Sequence, residues 1–357
     1  MRRVLFQLHL WTGLILGLVF VALSLSGSIA MFWPVFHTPP AVQMTAAQTP
    51  ALDKALANAR AALSVPETVD AVIFLPEAAD EPVRVHFGPL RGWPGALDLP
   101  DVVADPASGR ALGQFEPHVP AWFRAIEGFH GHLLMQGGRY WEGWLGVILA
   151  LVGLSGLYLW WPKRGQWKNA FLVRRKAKGL RFHRELHGAV GIWTFALFML
   201  VTVTGIGICF PAANRAVLTF VTGAAPAPRH EERAPLVAAP AGATRIGADA
   251  ALAAARGASS ETIIELHLPV APDQPLRAVA GLQGNTPIYI DPYTSRIIAD
   301  PAPPPSIVDR AQRMMGRLHG AHGLGTFYWL LVFLSGFLPL LFFVTGTVMW
   351  WKKRRPS

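Results

Sequence analysis

Four stretches of this chain are almost free of charge, and each is long enough to cross a bilayer: 8–33, 144–161, 190–210 and 327–351. A helical span needs about 20 apolar residues, with a range of roughly 17–25. Backbone in hydrocarbon must satisfy its own hydrogen bonds, so runs of this length and polarity form helices. The composition agrees: 52% of the residues are hydrophobic and 15% charged, against about 25% charged in ordinary soluble proteins. The first run has a basic start, as a signal peptide does. It outruns the usual apolar core of about 7–15 residues, and no clear small-x-small cleavage site follows it, so it is expected to remain a span.

The net charge of +10 would suit nucleic acid, but its placement excludes that reading. Fifteen of the 32 Lys and Arg residues lie in three short segments, 2–3, 162–186 and 352–355. The two long connections hold the other 17, against 20 acidic residues. A Lys/Arg excess in short loops marks the cytoplasmic side, so both termini and the short loop are expected inside and both long segments outside. Contact with anionic lipid head groups is a secondary role of the same charges. The expected division is a first transmembrane helix at 1–33, an outside module at 34–140 and a second helix at 141–161. A basic cytoplasmic loop at 162–186 leads to a third helix at 187–210, a second outside module at 211–326, a fourth helix at 327–351 and a basic tail at 352–357.

The chain repeats itself. With His9 placed over His187, Gly13 meets Gly191, Phe20 meets Phe198, Ser24 meets Thr202 and Gly27 meets Gly205, without a gap. These offsets fall on one face of a 3.6-residue helix. With His132 placed over His322, Gly146 meets Gly336, Ser155 meets Thr345, Gly156 meets Gly346, and "LWWPKR" meets "MWWKKR". The Trp pairs beside basic residues suit the membrane interface. In the long segments "ALDKALANARAALS" resembles "ADAALAAARGASS", both helix-like, and "VVADPASGR" resembles "IYIDPYTSR", where each Asp-Pro reads as a turn leaving a strand. Each outside module is therefore expected to be α+β, a helix followed by short strands. The proline-rich 224–240 and 301–305 read as linkers. The fold class is thus a membrane α-helical bundle of four transmembrane helices plus two α+β modules. The copies run the same way, an internal parallel duplication about an axis along the membrane normal.

Ionisable side chains in spans are costly and usually face the bundle interior with a partner. Two equivalent histidines on facing helices can hold one iron from opposite sides, which is axial haem ligation. Glycine near a ligand leaves room for a flat ring, and phenylalanine can pack on it. Arg313, Arg317 and Arg139 outside, or Arg3 and Arg184 inside, are candidate partners for propionates. Taken singly, a histidine at a span end reads as an interfacial tip, and a glycine as a helix-packing position. The doubled register favours cofactor ligation over both. A zinc site wants four close ligands, whereas pairs at opposite faces suit two separate bis-histidine irons. His130 and His319 lie beside the outer pair and stay candidates. His183 could replace His187, and Met135, Met314 and Met315 permit a His/Met alternative outside. His37, His86, His118, His230 and His267 have no matching partner and read as surface residues. The one cysteine, Cys209, excludes an internal disulfide and covalent attachment through C-x-x-C-H.

These features together resemble one bacterial family. "LHLWTGL" and "ELHGAVG" at the inner ends, "FHGHLL" and "LHGAHGLG" at the outer ends, four spans and two PepSY-like modules are similar to the PepSY-associated transmembrane family. That group includes iron-regulated inner-membrane proteins linked to siderophore uptake, some of them ferric-siderophore reductases carrying two haems b. The resemblance implies a bacterial inner (cytoplasmic) membrane with both modules in the periplasm. It also implies His9, His187, His132 and His322 as haem-iron ligands, with His130 and His319 as further cofactor-binding candidates. The implied enzyme is a haem-dependent oxidoreductase that passes electrons across the membrane to a periplasmic ferric-siderophore. Fe(II) is softer and less charged than Fe(III), so the oxygen ligands of a siderophore release it.

No nucleotide fingerprint fits the short basic loop. The electron donor is therefore either a cytoplasmic reductase docking on the inner face or a quinol in the membrane. Two other classes remain open. One is a siderophore or iron transporter without redox activity, although no carboxylate pair lies within the spans. The other is a cofactor-free membrane anchor displaying PepSY modules.

Overall fold

The computed structural model describes residues 1–37, 49–76, 81–89, 99–116, 119–224, 235–240, 242–281, 286–298 and 306–354. The first half begins with helices α1 (Arg2–Ile15), α2 (Gly17–Ala30), α3 (Trp33–His37) and α4 (Leu52–Leu63). Strands β1 (Ala71–Phe74), β2 (Val83–Phe87), β3 (Asp101–Ala104) and β4 (Ala111–Phe115) follow, then helices α5 (Ala121–His132), α6 (Gly138–Trp160) and α7 (Trp167–Ala170). The second half runs through α8 (Gly179–Cys209), α9 (Pro211–Thr222), α10 (Ala248–Ala258), β5 (Ile263–Leu268), β6 (Leu276–Ala280) and β7 (Thr286–Ile290). It ends with α11 (Ile307–Gly320), α12 (Gly325–Ser335) and α13 (Leu338–Arg354). A helical unit comprises Met1–Phe36, Val119–Pro226 and Ser306–Ser357; a sheet unit comprises His37–His118 and Ala227–Pro305. The helices α5, α9 and α11, read from sequence as parts of the outside modules, thus fold with the helical unit.

Among the described residues three helical stretches are long and apolar enough to cross a membrane: α6, α8 and the joined Gly325–Arg354. The helices α1 and α2 pass the same test together, but they are bent by 59° at their junction. The first span expected at 8–33 thus corresponds to two helices with a bend between them, at 2–30. Gly17 sits at the break, and the Phe343 ring occupies the space where its side chain would be. At the other end of the expectation, α8 starts well before 187. Its first turns lie in the basic loop and carry an Arg181–Glu185 pair at 2.8 Å.

In the sheet unit the two halves share one antiparallel sheet, ordered β4-β3-β2-β1-β5-β6-β7, with the first strand of each half paired at the centre. Alternate residues point to one face and form the core: Ile73, Val85, Val102, Leu266, Ala278 and Ile288 pack with Leu52, Ala55, Leu252 and Ala255 of α4 and α10. Full burial of a side chain such as Ile73 or Leu266 contributes about 1.5–3 kcal/mol.

The two halves use the same local devices. Asp105 accepts from the Ser108 N–H at 3.0 Å, and Asp291 from the N–H groups of Tyr293 and Thr294 at 2.8 and 3.2 Å, which closes each Asp-Pro turn. The fifth residue of each turn, Gly109 or Ser295, is left-handed, with φ 70° and 61°. The helix N-termini are capped crosswise. Asp53 of α4 accepts from the Ala248 N–H of α10 at 2.5 Å, and Asp249 of α10 accepts from the Leu52 N–H of α4 at 2.7 Å. Each carboxylate thus satisfies a donor that the other helix leaves open. Burial and the adjacent Asp249 hold the Asp53 carboxyl above the usual carboxylate range, although the Ala248 N–H works the other way.

Candidate functional site

The helical unit brings two pairs of histidines ring to ring. His9 of α1 and His187 of α8 have centroids 6.3 Å apart, with planes at 76°. His130 of α5 and His319 of α11 have centroids 6.1 Å apart, with planes at 18°. All four rings are partly buried.

In each case the same nitrogen is engaged by the protein. His130 Nδ1 lies 3.0 Å from Leu23 O, and His319 Nδ1 lies 2.9 Å from Val201 O. A carbonyl only accepts, so these Nδ1 atoms carry the proton. His9 Nδ1 lies 2.8 Å from Ser155 Oγ and 3.2 Å from Val152 O. His187 Nδ1 lies 2.7 Å from Thr345 Oγ1. Those hydroxyls spend their own protons on Val152 O and Leu341 O, each at 2.7 Å, and so accept from the rings. The network therefore fixes one tautomer for all four, with Nε2 left as a bare lone pair. A metal-binding imidazole is held this way, its other nitrogen donating to a fixed acceptor.

The acceptors recur at matched positions. Leu23 and Val201 follow His9 and His187, respectively, by fourteen residues in the chain. Along α8 that separation is about 21 Å. A buried hydroxyl stands three residues after each carbonyl: Ser26 after Leu23, and Thr204 after Val201, donating back to it at 2.8 and 3.0 Å. Ser26 and Thr204 escape the sequence comparison, which singled out Ser24 and Thr202. The available signal is a second hydroxyl pair at offset 17 from His9 and His187. Ser155 and Thr345, by contrast, are matched in the sequence and hold His9 and His187.

Two glycines make room for the rings of His130 and His319. A Cβ on Gly27 would lie 2.6 Å from His130 Cε1, and one on Gly205 would lie 2.8 Å from His319 Cε1. Near His9 and His187, a Cβ on Gly156 would lie 3.2 Å from His9 Cε1, and Phe342 packs on His187 at 5.0 Å.

The outer pair suggested by the register, His132 with His322, is not brought together. Both side chains are exposed. His130 and His132 are two apart and so point to nearly opposite sides of α5. With His130 turned toward α2, His132 is turned away. Both α5 and α11 then stop in left-handed residues, Leu133 and Ala321, with φ 52° and 56°. That turn carries His322 back against Gly320. From His to cap is three residues in α5 and two in α11, and this one-residue difference takes His130 and His319 out of an ungapped register. The shared signal is the dipeptide His-Gly, at 130–131 and 319–320.

Other sequence candidates are placed as follows. His183 keeps a buried Nδ1 with no hydrogen-bond partner among the described residues. Arg317 donates to the carbonyls of His322 and Gly323 at 3.3 and 3.1 Å, closing the end of α11. Met315 Sδ accepts from Asn214 at 3.1 Å. His86, read as a surface residue, is buried and bonded to Asp101 at 2.9 Å. His267, read likewise, contacts Glu265 at 3.0 Å. His118 and His230 lie outside the described residues.

Chemically, each pair offers two Nε2 lone pairs. Metal–imidazole bonds are about 2 Å, so two rings gripping one metal from opposite sides stand about 6 Å apart at their centroids, as both pairs do. Among the described residues no three His, Cys, Asp or Glu side chains converge as a metal site. Two protein ligands suffice when a porphyrin supplies the remaining positions, so the residues fit haem better than zinc. The family model described as "PepSY-associated TM region" matches residues 6–353, nearly the whole chain. No curated protein matches it.

Proposed function

We propose that this chain, which belongs to the PepSY-associated TM family, is a di-haem b membrane oxidoreductase that moves electrons across the bilayer to a ferric-siderophore. The observation that carries the reading is the common tautomer: four imidazoles in two facing pairs, each with Nδ1 tied to the protein and Nε2 free. His9 and His187 would hold one haem, and His130 and His319 the other. Haem supplies one-electron redox chemistry at each pair. Ser155, Thr345, Leu23 and Val201 orient the rings and raise their basicity, and the surrounding apolar side chains exclude water. His132 and His322, free of that duty, remain outer-face residues of this reading.

We read the helices as four spans, with α1 and α2 together forming the first, arranged as two parallel copies of helix, outside domain, helix. The matched acceptors, hydroxyls and glycines support the duplication. The distribution of basic residues supports cytoplasmic termini in a bacterial inner membrane. The reaction is the gain of one electron by Fe(III) held in oxygen ligands, followed by release of Fe(II). The electron comes from a cytoplasmic reductase or a membrane quinol.

The test of substrate is reoxidation. Protein reduced with dithionite and freed of excess reductant should lose its reduced bands quickly on adding a ferric-siderophore, and slowly with the iron-free form. Equal rates would reject the substrate.

A further inference from the structure

The helix α9 is built inside out. Its exposed stripe is Ala213, Ala216, Val217, Phe220 and Val221, spaced as one helix face. Phe220 is 89% exposed, Val221 73% and Val217 59%. The face turned to the protein carries Asn214, Arg215 and Thr219 beside a single large apolar residue, Leu218. Arg215 pairs with Asp309 at 3.0 Å and donates to Gln312 Oε1 at 3.2 Å, and Asn214 donates to Met315 Sδ at 3.1 Å. A helix of a soluble protein turns its apolar stripe inward. The reverse arrangement belongs against hydrocarbon, where polar side chains seek the protein interior.

Chain continuity gives the location. The apolar helix α8 ends at Cys209, Phe210 makes the break with φ −119° and ψ 65°, and Pro211 starts α9. A helix that begins one residue after a membrane-length helix starts at the membrane. Its 12 residues make about 18 Å, too short for a hydrocarbon core of about 30 Å. It therefore lies along one leaflet.

We propose that α9 is a lipid-embedded strut in the leaflet at the C-terminal end of α8, with Val217, Phe220 and Val221 among the acyl chains. Its polar face grips α11 through Arg215 and Asn214. The occupant of the apolar stripe is bilayer lipid, not water and not a second copy of the chain. The proposal needs no haem and stands or falls apart from the redox reading.

The test uses the full chain in phosphatidylcholine–phosphatidylglycerol vesicles. The variant Phe220→Cys, in a Cys209→Ser background, carries a nitroxide label, and Lys54→Cys provides an exposed control on α4. Collision with oxygen should exceed collision with a water-soluble nickel chelate at position 220, and the order should reverse at 54. Val217→Cys should repeat the result for 220, and serves if the Phe220 variant misfolds. Nickel-dominated collision at both 217 and 220 would overturn the proposal. So would strong label–label broadening at 220 that vanishes on dilution with unlabelled protein, which would assign the stripe to a second copy.

Discussion

The imidazole of His130 faces that of His319 at 6.1 Å, and each turns its Nδ1 to a backbone carbonyl fourteen residues beyond His9 or His187. That relationship, rather than the one between His132 and His322, sets the expected behaviour of the variants. His130→Ala and His319→Ala should each lose about half of the haem, as should His9→Ala and His187→Ala. His132→Ala and His322→Ala should keep both. Haem-to-protein ratios of purified variants decide it. Loss of haem in the 132 and 322 variants with retention in the 130 and 319 variants would reverse the assignment.

Gly27→Ala and Gly205→Ala should reproduce the loss seen for His130→Ala and His319→Ala. The new methyl would sit 2.6 or 2.8 Å from an imidazole carbon. Overpacking of this kind costs about 1–3 kcal/mol, and here the ring is what must move. Gly346→Ala meets nothing within 4 Å and should leave both haems in place. The same haem-to-protein ratio reads all three.

Thr345→Val keeps the shape of the side chain but removes the acceptor of His187 Nδ1. Losing such a partner typically costs 10–100-fold in metal affinity. The imidazole also becomes less basic and stabilises Fe(III) less, so the midpoint potential of that haem should rise. Thr345→Ser should restore it. A redox titration in which the Val variant shows no rise would contradict the role given to Thr345.

The two pairs differ in twist, 76° for His9 with His187 and 18° for His130 with His319. Crossed axial rings load two iron d orbitals nearly equally, which preserves orbital momentum and raises the largest g-value. Aligned rings separate them. The oxidised protein should therefore give two low-spin EPR species, and His187→Ala should remove the one with the larger g-value. A single species in the intact protein would contradict the difference in twist.

The crosswise caps predict a pH dependence. The Asp53 carboxyl titrates above its unfolded value, chiefly through burial and then through Asp249. The folded state then holds the proton more tightly than the unfolded state, so stability is highest below the unfolded pKa of about 3.9. It falls as pH rises through the folded value. Asp53→Asn keeps an acceptor for the Ala248 N–H and should flatten that slope. Thermal unfolding of the full chain across mildly acidic pH measures it; an unchanged slope would contradict the assignment.

Much of this was legible in the residues. Apolar runs of bilayer length announced α6, α8 and the joined α12 and α13, because length and polarity alone determine such helices. The matched Asp-Pro turns marked the ends of β3 and β7, and the Ala-rich segments became α4 and α10. Ser155 and Thr345 were visible as a matched pair before their bonds to His9 and His187 were known. The bend at Gly17 was hidden, since it depends on Phe343, far away in sequence. The joining of both halves into one sheet was hidden likewise, because the β1–β5 pairing is non-local. The facing of His130 and His319 was hidden by the one-residue difference between the caps of α5 and α11, which takes these histidines, but not the spans, out of an ungapped register.

If the two facing imidazole pairs hold two porphyrin irons, the purified protein carries haem. The decisive experiment is haem quantification by the pyridine haemochrome method on full-length protein, expressed with haem supplied and purified in mild detergent. The expected content is about two non-covalent haems b per chain, with one lost in His319→Ala and one retained. Colourless protein, or a haem content untouched by all four substitutions at 9, 130, 187 and 319, would contradict it.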